Sequence, residues 1–107
     1  MDGLVWLSHS ADEGKHWSWP SRTPVWGFPQ QLCLLGDGRI LMAYGYRKSP
    51  LGVRACVSSD GGRSYDLARE IVLRHDGENV DLGYPYSIQL RDGRVLTVYY
   101  FIRKGTD

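Results

Sequence analysis

The sequence predicts an all-β fold made of propeller-type, four-stranded antiparallel blades, and three observations lead to that prediction. The segment FPQQLCLLGDGRILMAYGY (28–46) recurs as YPYSIQLRDGRVLTVYYF (84–101). The pattern Ser-x-Asp-x-Gly-x-x-aromatic also occurs twice, in 10–17 and in 58–65. Both repeats have a period of about 50 residues, which is typical of one blade of a propeller. The chain of 107 residues therefore has room for about two blades.

Each long repeat reads as a β-hairpin. An aromatic-proline pair precedes a short strand, then Asp-Gly-Arg, then a longer apolar strand. Asp37-Gly38 and Asp92-Gly93 are strong turn signals, because glycine accepts the positive φ of tight hairpin turns. The two strands, called A and B, are apolar along most of their length, as expected for inner strands covered on both faces. Strand A is predicted at 30–35 and 86–91, and strand B at 39–46 and 94–102.

Two outer strands, C and D, are predicted on either side of each serine-aspartate-glycine pattern. Strand C covers 4–9 and 53–58, and strand D covers 17–22 and 67–73. The segment YDLAREIVL also fits a short amphipathic helix, although its position in the repeat favours strand D. The chain order is then C-D, A-B-C-D, A-B within a single unit, 1–107. Residues 1–27 supply the outer strands of one blade, 28–73 a complete blade, and 84–102 the inner strands of the next.

The two patterns resemble the Asp box, or BNR repeat, of the sialidase (neuraminidase) superfamily. In that family the box joins the two outer strands of a blade, and six blades usually form the propeller. The letters suit this role, because serine and aspartate side chains bind turn amides, glycine accepts a tight backbone, and the aromatic residue is expected to pack between strands. A calcium loop is the alternative, but neither pattern supplies the further oxygen ligands or the distal glutamate of an EF-hand. The structural residues of the boxes are Ser10, Asp12, Gly14 and Trp17, and Ser58, Asp60, Gly62 and Tyr65.

Composition excludes several classes of function. A net charge of +1 with interleaved acids and bases gives no basic stripe for nucleic acid. No apolar run approaches the roughly 18 residues of a membrane span. No leader follows Met1, so a cytosolic protein is expected, or a secreted one if a leader is missing. Cys33 and Cys56 lie in strand-like runs and are expected to be buried free thiols rather than a disulfide. No cofactor and no metal site is predicted.

Strand alternation assigns the loops to two opposite faces. The A-B turns and the boxes share one face, so the B-C and D-A loops share the other, which in sialidases carries the active site. The predicted loops there are 20–29, 47–52, 74–85 and the tail from Arg103. Arginine forks bind carboxylates and aromatic rings cover the apolar faces of sugars. The cationic, acidic and aromatic residues of these loops are Arg22, Trp26, Phe28, Arg47, Lys48, Arg74, His75, Asp76, Glu78, Asp81, Tyr84, Arg103 and Lys104.

The segment GYPYSIQLRDGRVLTVYY resembles the last catalytic segment of sialidases. This resemblance implies that Tyr84 is the tyrosine nucleophile, which avoids the repulsion between a carboxylate nucleophile and an acidic sugar. The family has a substrate-binding arginine near the start of strand C, for which Arg47 and Arg54 are the candidates. Arg103 and Trp26, from the loops of the same face, are the further candidates for sugar binding. The sequence departs from the family pattern at Pro85, where serine is usual, and at Tyr100, where glutamate is usual. The catalytic aspartate region and the glutamate that activates the tyrosine have no counterpart here.

Three functions remain open on these observations. The chain is part of a sialidase-like glycoside hydrolase, or a non-catalytic surface that binds a sialylated or other acidic glycan, or a structural repeat module. Two blades leave open sheet edges, which a protein is expected to cover. Because the chain begins with C-D and ends with A-B, a neighbouring copy could complete each broken blade. Self-association is therefore predicted, with three chains giving six blades.

Overall fold

Antiparallel sheets make up the chain, which a computed structural model describes over residues 3–103. The strands form in the apolar runs, and the Asp-Gly turns and the boxes end them. A single-turn 3-10 helix is the one helix in this part of the chain. The elements are β1 Leu4–Leu7, β2 Ser21–Trp26, β3 Gln30–Leu34, β4 Ile40–Tyr46, β5 Gly52–Ser58, a 3-10 helix Leu67–Arg69, β6 Ile71–Arg74, β7 Gly83–Gln89 and β8 Val95–Tyr100.

The strands pair with their neighbours in sequence and form three sheets. A central four-stranded sheet has the order β3-β4-β5-β6, and two-stranded sheets β1-β2 and β7-β8 stand beside it. All five ladders are antiparallel. The longest ladder joins β4 to β5 without a register shift, from Ile40 opposite Ser58 to Tyr46 opposite Gly52. The prediction of an all-β fold with antiparallel sheets is confirmed.

The core lies on both faces of the central sheet. On one face Met42, Tyr44 and Cys56 pack against Val5 and Val25 of the β1-β2 sheet. The opposite face carries a second apolar cluster that includes Cys33, Leu41 and Ala55, and β7 contacts β3 and β4 there. The central sheet is therefore apolar on both faces because it stands between the two smaller sheets.

Two predicted outer strands lie elsewhere than expected. The first strand D was predicted at 17–22, but the strand that pairs with β1 is Ser21–Trp26. Residues 17–20 precede this strand and take no part in the ladder. Pro20 has no amide hydrogen that could donate to one. The second was predicted at 67–73. There Leu67–Arg69 form a 3-10 helix and only Ile71–Arg74 pair with β5, so the helical alternative is correct for the first turn of that segment.

Cys33 and Cys56 are both buried and free, as expected. They belong to the two different core clusters, so the central sheet stands between them. No helix within residues 3–103 is long and apolar enough to cross a bilayer.

The sheets have two ends with different loops. At the turn end lie both boxes and the β3-β4 and β7-β8 turns. The opposite end, here called the site end, carries the segments 27–29, 47–51, 75–82 and 101–103, which follow or precede the strands there. The loops that the repeat assigned to one face therefore lie together at the site end. Lys104, which was predicted there too, lies outside the described residues.

Candidate functional site

Arg47, directly after β4, is the central cation of the site end. Its Nη2 donates a hydrogen bond to the Leu82 carbonyl oxygen at 3.0 Å. Its guanidinium carbon lies 4.9 Å from the ring centroid of Phe28 and 5.9 Å from that of Tyr84. The Nε atom is buried without a hydrogen-bond partner. The guanidinium is thus held in place by a backbone carbonyl and two aromatic rings.

Tyr84 owes its position to an irregular β7. Gly83 pairs with Tyr100, and the register then shifts before Tyr86 pairs with Val98. Tyr84 has a φ of 50°, a left-handed conformation that is costly for a bulky residue, and follows Gly83 at 105°. Its side chain is 66% exposed. β-bulges of this kind redirect side chains and are frequent beside functional sites. Here the bulge places the phenol beside Arg47.

Trp26 connects this group to a second set of aromatic rings. Its ring makes edge contacts with Phe28 and Tyr46, at centroid distances of 5.7 and 5.6 Å. Lys48 Nζ lies 4.2 Å from the Trp26 ring centroid. These residues come from the end of β2, the connection 27–29, the end of β4 and the loop after it, so the sheet packing brings them together. We call Trp26, Phe28, Tyr46, Arg47, Lys48 and Tyr84 the arginine-aromatic cluster.

Arg54 lies below this cluster and has its charge neutralised within the protein. Its guanidinium stacks on Tyr46 at 3.6 Å, and Nη1 donates to Glu70 Oε1 at 2.8 Å. The other carboxylate oxygen of Glu70 accepts a hydrogen bond from the buried Tyr44 hydroxyl. Burial, followed by this bond to Glu70, raises the pKa of Tyr44 far above its usual value. Arg54 is thus committed to an internal ion pair, whereas Arg47 has no carboxylate partner within residues 3–103.

Arg103 belongs to a separate group at the same end. It lies 3.6 Å from Asp76, which also accepts two hydrogen bonds from Arg74 at 2.9 and 3.1 Å. Arg74 lies over the Phe101 ring at 4.2 Å. The hydrogen bonds from Arg74 hold the pKa of Asp76 below its usual range. Arg74, Phe101 and Arg103 border a cleft of about 410 Å³, and Arg47 is not among the described residues that line it.

One predicted loop is mostly strand. The segment 20–29 was expected to be a loop, but β2 occupies Ser21–Trp26 and the connection to β3 is only 27–29. Arg22 is consequently opposite Trp6 in the β1-β2 ladder, away from the loops of the site end. Trp26, at the last position of β2, still reaches the cluster.

The boxes lie at the turn end, and their side chains bind turn amides. In the second box Ser58 Oγ accepts from Gly62 N at 2.9 Å, and Asp60 Oδ1 accepts from Arg63 N and Ser64 N at 3.0 and 2.9 Å. In the first box Gly14 N donates to Ser10 Oγ and His16 N to Asp12 Oδ1, both at 2.8 Å. No group of three or more metal-binding side chains occurs within residues 3–103.

The aromatic residues of the two boxes differ in burial. Tyr65 is buried in the core cluster beside the β1-β2 sheet. Trp17 was expected to pack between strands in the same way, but it is 63% exposed and its Nε1 donates to the Gly14 carbonyl at 2.9 Å. The expectation fails because no sheet within the described chain covers the outer face of β1-β2. Trp17 therefore lacks the neighbour that buries Tyr65.

Comparison with known proteins decides the family. The model of the BNR repeat-like domain matches residues 2–97. The chain belongs to this family. A crystal structure of a protein of unknown function from Dyadobacter fermentans DSM 18053 is similar, with 38% sequence identity and a TM-score of 0.84. The similarity covers 98% of this BNR repeat chain and 29% of the other, so this chain spans less than a third of that protein's length. A search of curated proteins finds no match.

The family assignment explains which features could be recognised from sequence. BNR boxes have a fixed spacing, so Ser58 and Asp60 were found directly. Glu70 was missed because its importance comes from contacts with Tyr44 and Arg54, which are distant in sequence and adjacent only in the sheet. The one available signal was the position of Glu70, which directly precedes the apolar run IVL. A charge beside an apolar strand usually has a partner.

A titration tests how the second BNR box holds its aspartate. Hydrogen bonds from Ser64, with a further one from Ser58, lower the pKa of Asp60 to about 2. Because the folded-state pKa is depressed, Asp60 stabilises the fold above about pH 4, and this contribution is lost as the pH falls toward 2. Ser64→Ala is expected to raise the Asp60 pKa and to move acid unfolding to higher pH. Carboxyl-carbon NMR measures the first effect, and circular dichroism against pH measures the second.

The control for this titration is Ser59→Ala, an exposed neighbour outside the contacts of Asp60. It should leave the pKa of Asp60 and the acid midpoint unchanged. An Asp60 pKa that stays near 2 in Ser64→Ala would show that the hydroxyl is not what depresses it.

Proposed function

We propose that this BNR repeat chain is the acidic-glycan-binding part of a sialidase-like β-propeller, with the central sheet as one complete blade. The smaller sheets are the outer and inner halves of the neighbouring blades. The single observation that carries the proposal is the Arg47 guanidinium, which is held by the Leu82 carbonyl and two aromatic rings and has no carboxylate partner within residues 3–103. A sugar carboxylate is the ligand that suits this geometry.

The chemistry of the neighbours supports a sugar rather than a simple anion. Aromatic rings pack on the apolar C–H faces of pyranose rings, and Phe28 and Tyr84 are 40% and 66% exposed. Lys48 adds a second positive charge on Trp26. Charge-assisted hydrogen bonds from arginine to a carboxylate are stronger than neutral ones and directional. A glycan ending in an acidic sugar is therefore the expected ligand class.

Binding is favoured over hydrolysis by this chain alone. A tyrosine nucleophile needs a base to accept its proton, and the Tyr84 hydroxyl donates to no carboxylate within residues 3–103. Glu70 is the nearest analogue of an activating glutamate, but its oxygens are bound by Arg54 and Tyr44. Tyr44 is fully buried, which prevents contact with a substrate. Hydrolysis would require acidic groups from other blades.

Arg47→Ala is expected to reduce affinity for a glycan with a terminal acidic sugar by at least tenfold, because the charge-assisted pair is worth about 1.5–3 kcal/mol. Arg47→Lys should retain part of the affinity, since lysine keeps the charge but loses the planar fork. Calorimetry or a glycan array with matched acidic and neutral glycans measures the effect.

Arg94→Ala is the matched control, because Arg94 is an exposed arginine in the β7-β8 turn at the opposite end. It should bind like the unmodified chain. Equal binding by Arg47→Ala and Arg94→Ala would contradict the proposal. The hydrolytic alternative is tested separately with a fluorogenic sialoside, since turnover that disappears in Tyr84→Phe would establish an enzyme instead.

A further inference from the structure

The two smaller sheets end in edges that correspond to two paired strands of the central sheet. By the hairpin repeat, β8 is equivalent to β4, and by the box repeat, β1 is equivalent to β5. In the central sheet β4 and β5 form the longest regular ladder. Their equivalents β8 and β1 each have one ladder partner among the described strands, β7 and β2 respectively.

The exposed face of the β7-β8 sheet is apolar. Five alternating side chains on this face are each between 46% and 61% exposed: Tyr86, Ile88, Leu96, Val98 and Tyr100. On the other side of the molecule β3 exposes Leu32 and Leu34, at 45% and 73%, and β1 exposes Trp6 at 53%. Contiguous apolar patches of this kind mark interaction surfaces.

Two grooves lie beside these edges. A groove of about 280 Å³ between β8 and the outer strands of the central sheet is lined by Ala55, Val57, Ile71 and Leu73 on one side and by Val95 and Thr97 on the other. A second groove, of about 360 Å³, runs along β1 from Gly3 to Trp6 and reaches Phe28 and Gln30. An outer hairpin equivalent to β5-β6 would fill the first groove. An inner hairpin equivalent to β3-β4 would fill the second.

We propose that a second copy of this chain occupies these positions, with its β1 paired to β8 in the register of β5 on β4. Because Ala43 pairs with Ala55 in the central sheet, the equivalent pair is Val98 with Leu7 of the partner subunit. In this register Trp6 of the partner subunit enters the groove between β8 and Ile71. The apolar face of β7-β8 packs on Leu32 of the partner subunit and its neighbours.

The occupant is a second copy because the complementary half is present in the same chain. Each chain offers an inner hairpin at one side and an outer hairpin at the other, so the contact is head-to-tail and repeats around a ring. With the six-bladed propeller proposed above, three copies close the ring; the β8-β1 pairing itself does not depend on that number or on glycan binding.

Cysteine trapping tests the register. In the double variant Val98→Cys/Leu7→Cys, a disulfide is expected between subunits under mild oxidation, seen as covalent multimers in denaturing electrophoresis without reductant. A bridge within one chain is excluded because the central sheet separates the two positions. The shifted variant Leu96→Cys/Leu7→Cys should give far less product. Equal products from both variants, or none from the first, would overturn the proposed register.

Sedimentation equilibrium tests the assembly on the full chain. A trimer at micromolar concentration is expected, and Trp6→Ala and Val98→Lys should shift it to monomer while circular dichroism stays unchanged. Trp19→Ala is the matched control, because Trp19 is 91% exposed and lies outside the strands; it should remain assembled. A monomeric unmodified chain, or association that persists in both interface variants, would rule out the pairing. Loss of glycan binding in Arg47→Ala would leave the trapped disulfide unaffected, so the two proposals fail separately.

Discussion

Replacing Glu70 with alanine is expected to lower the free energy of unfolding by about 2–4 kcal/mol, because a half-buried charge and a buried hydroxyl lose their partner together. Glu70 accepts hydrogen bonds from Arg54 and Tyr44. Arg54 Nε is already buried without a hydrogen-bond partner. Few other groups are therefore available to compensate the Arg54 charge once Glu70 is removed. Urea unfolding followed by tryptophan fluorescence measures the change.

A double-mutant cycle separates the ion pair from the packing. Removing both charges in Arg54→Met/Glu70→Leu should cost much less than Glu70→Ala, since apolar replacements leave no unpaired charge. The control is Arg39→Ala, which removes an exposed, solvent-screened ion pair with Asp37 and should leave stability nearly unchanged. Additive effects of the Arg54 and Glu70 substitutions would mean that the two residues are not coupled.

Gly45→Ala is the second substitution expected to have a large effect, about 1–3 kcal/mol, because it overpacks a contact between backbones. A Cβ atom at Gly45 would lie 2.6 Å from the Phe28 carbonyl oxygen and 3.3 Å from the Gly83 Cα atom. The clash is with the main chain, so relief requires the connection before β3 or the start of β7 to move. Since Gly83 precedes Tyr84, glycan affinity should fall along with stability.

Gly36→Ala is the matched control for this clash. A Cβ atom there would meet only the Gln89 side chain, at 3.4 Å, an ordinary contact distance. Thermal unfolding and the glycan-binding assay, run on both variants, measure the two effects. A Gly45→Ala variant with unchanged melting temperature would show that the close approach of β4 and β7 can relax without cost.

The sequence is most informative where structure is local. The Asp-Gly turns, the boxes and the apolar inner strands are each specified within about ten residues, and β3, β4, β5 and β7 lie close to their predicted positions. The two D strands were harder to place, because an edge strand buries little apolar surface and leaves a weak pattern. In the segment after Tyr65, one turn of 3-10 helix fits the same letters as a strand.

The site illustrates a second limit of sequence reasoning. Arg47 and Tyr84 were expected to share a face, and the structure places them in one cluster. The difference between Arg47, which binds a backbone carbonyl, and Arg54, which is bound to Glu70, depends on contacts between strands that have no sequence signature. The same applies to Arg103, whose partner Asp76 comes from a different connection.

The pairing of each strand with its neighbour in sequence has a consequence for folding. Every ladder closes a short loop, so the entropy lost in forming each hairpin is small and grows only slowly with loop length. The apolar contacts between sheets, by contrast, join residues as distant as Val5 and Cys56. Hydrogen bonding in this chain can therefore be gained hairpin by hairpin, while cooperativity comes from the stacking of one sheet on the next.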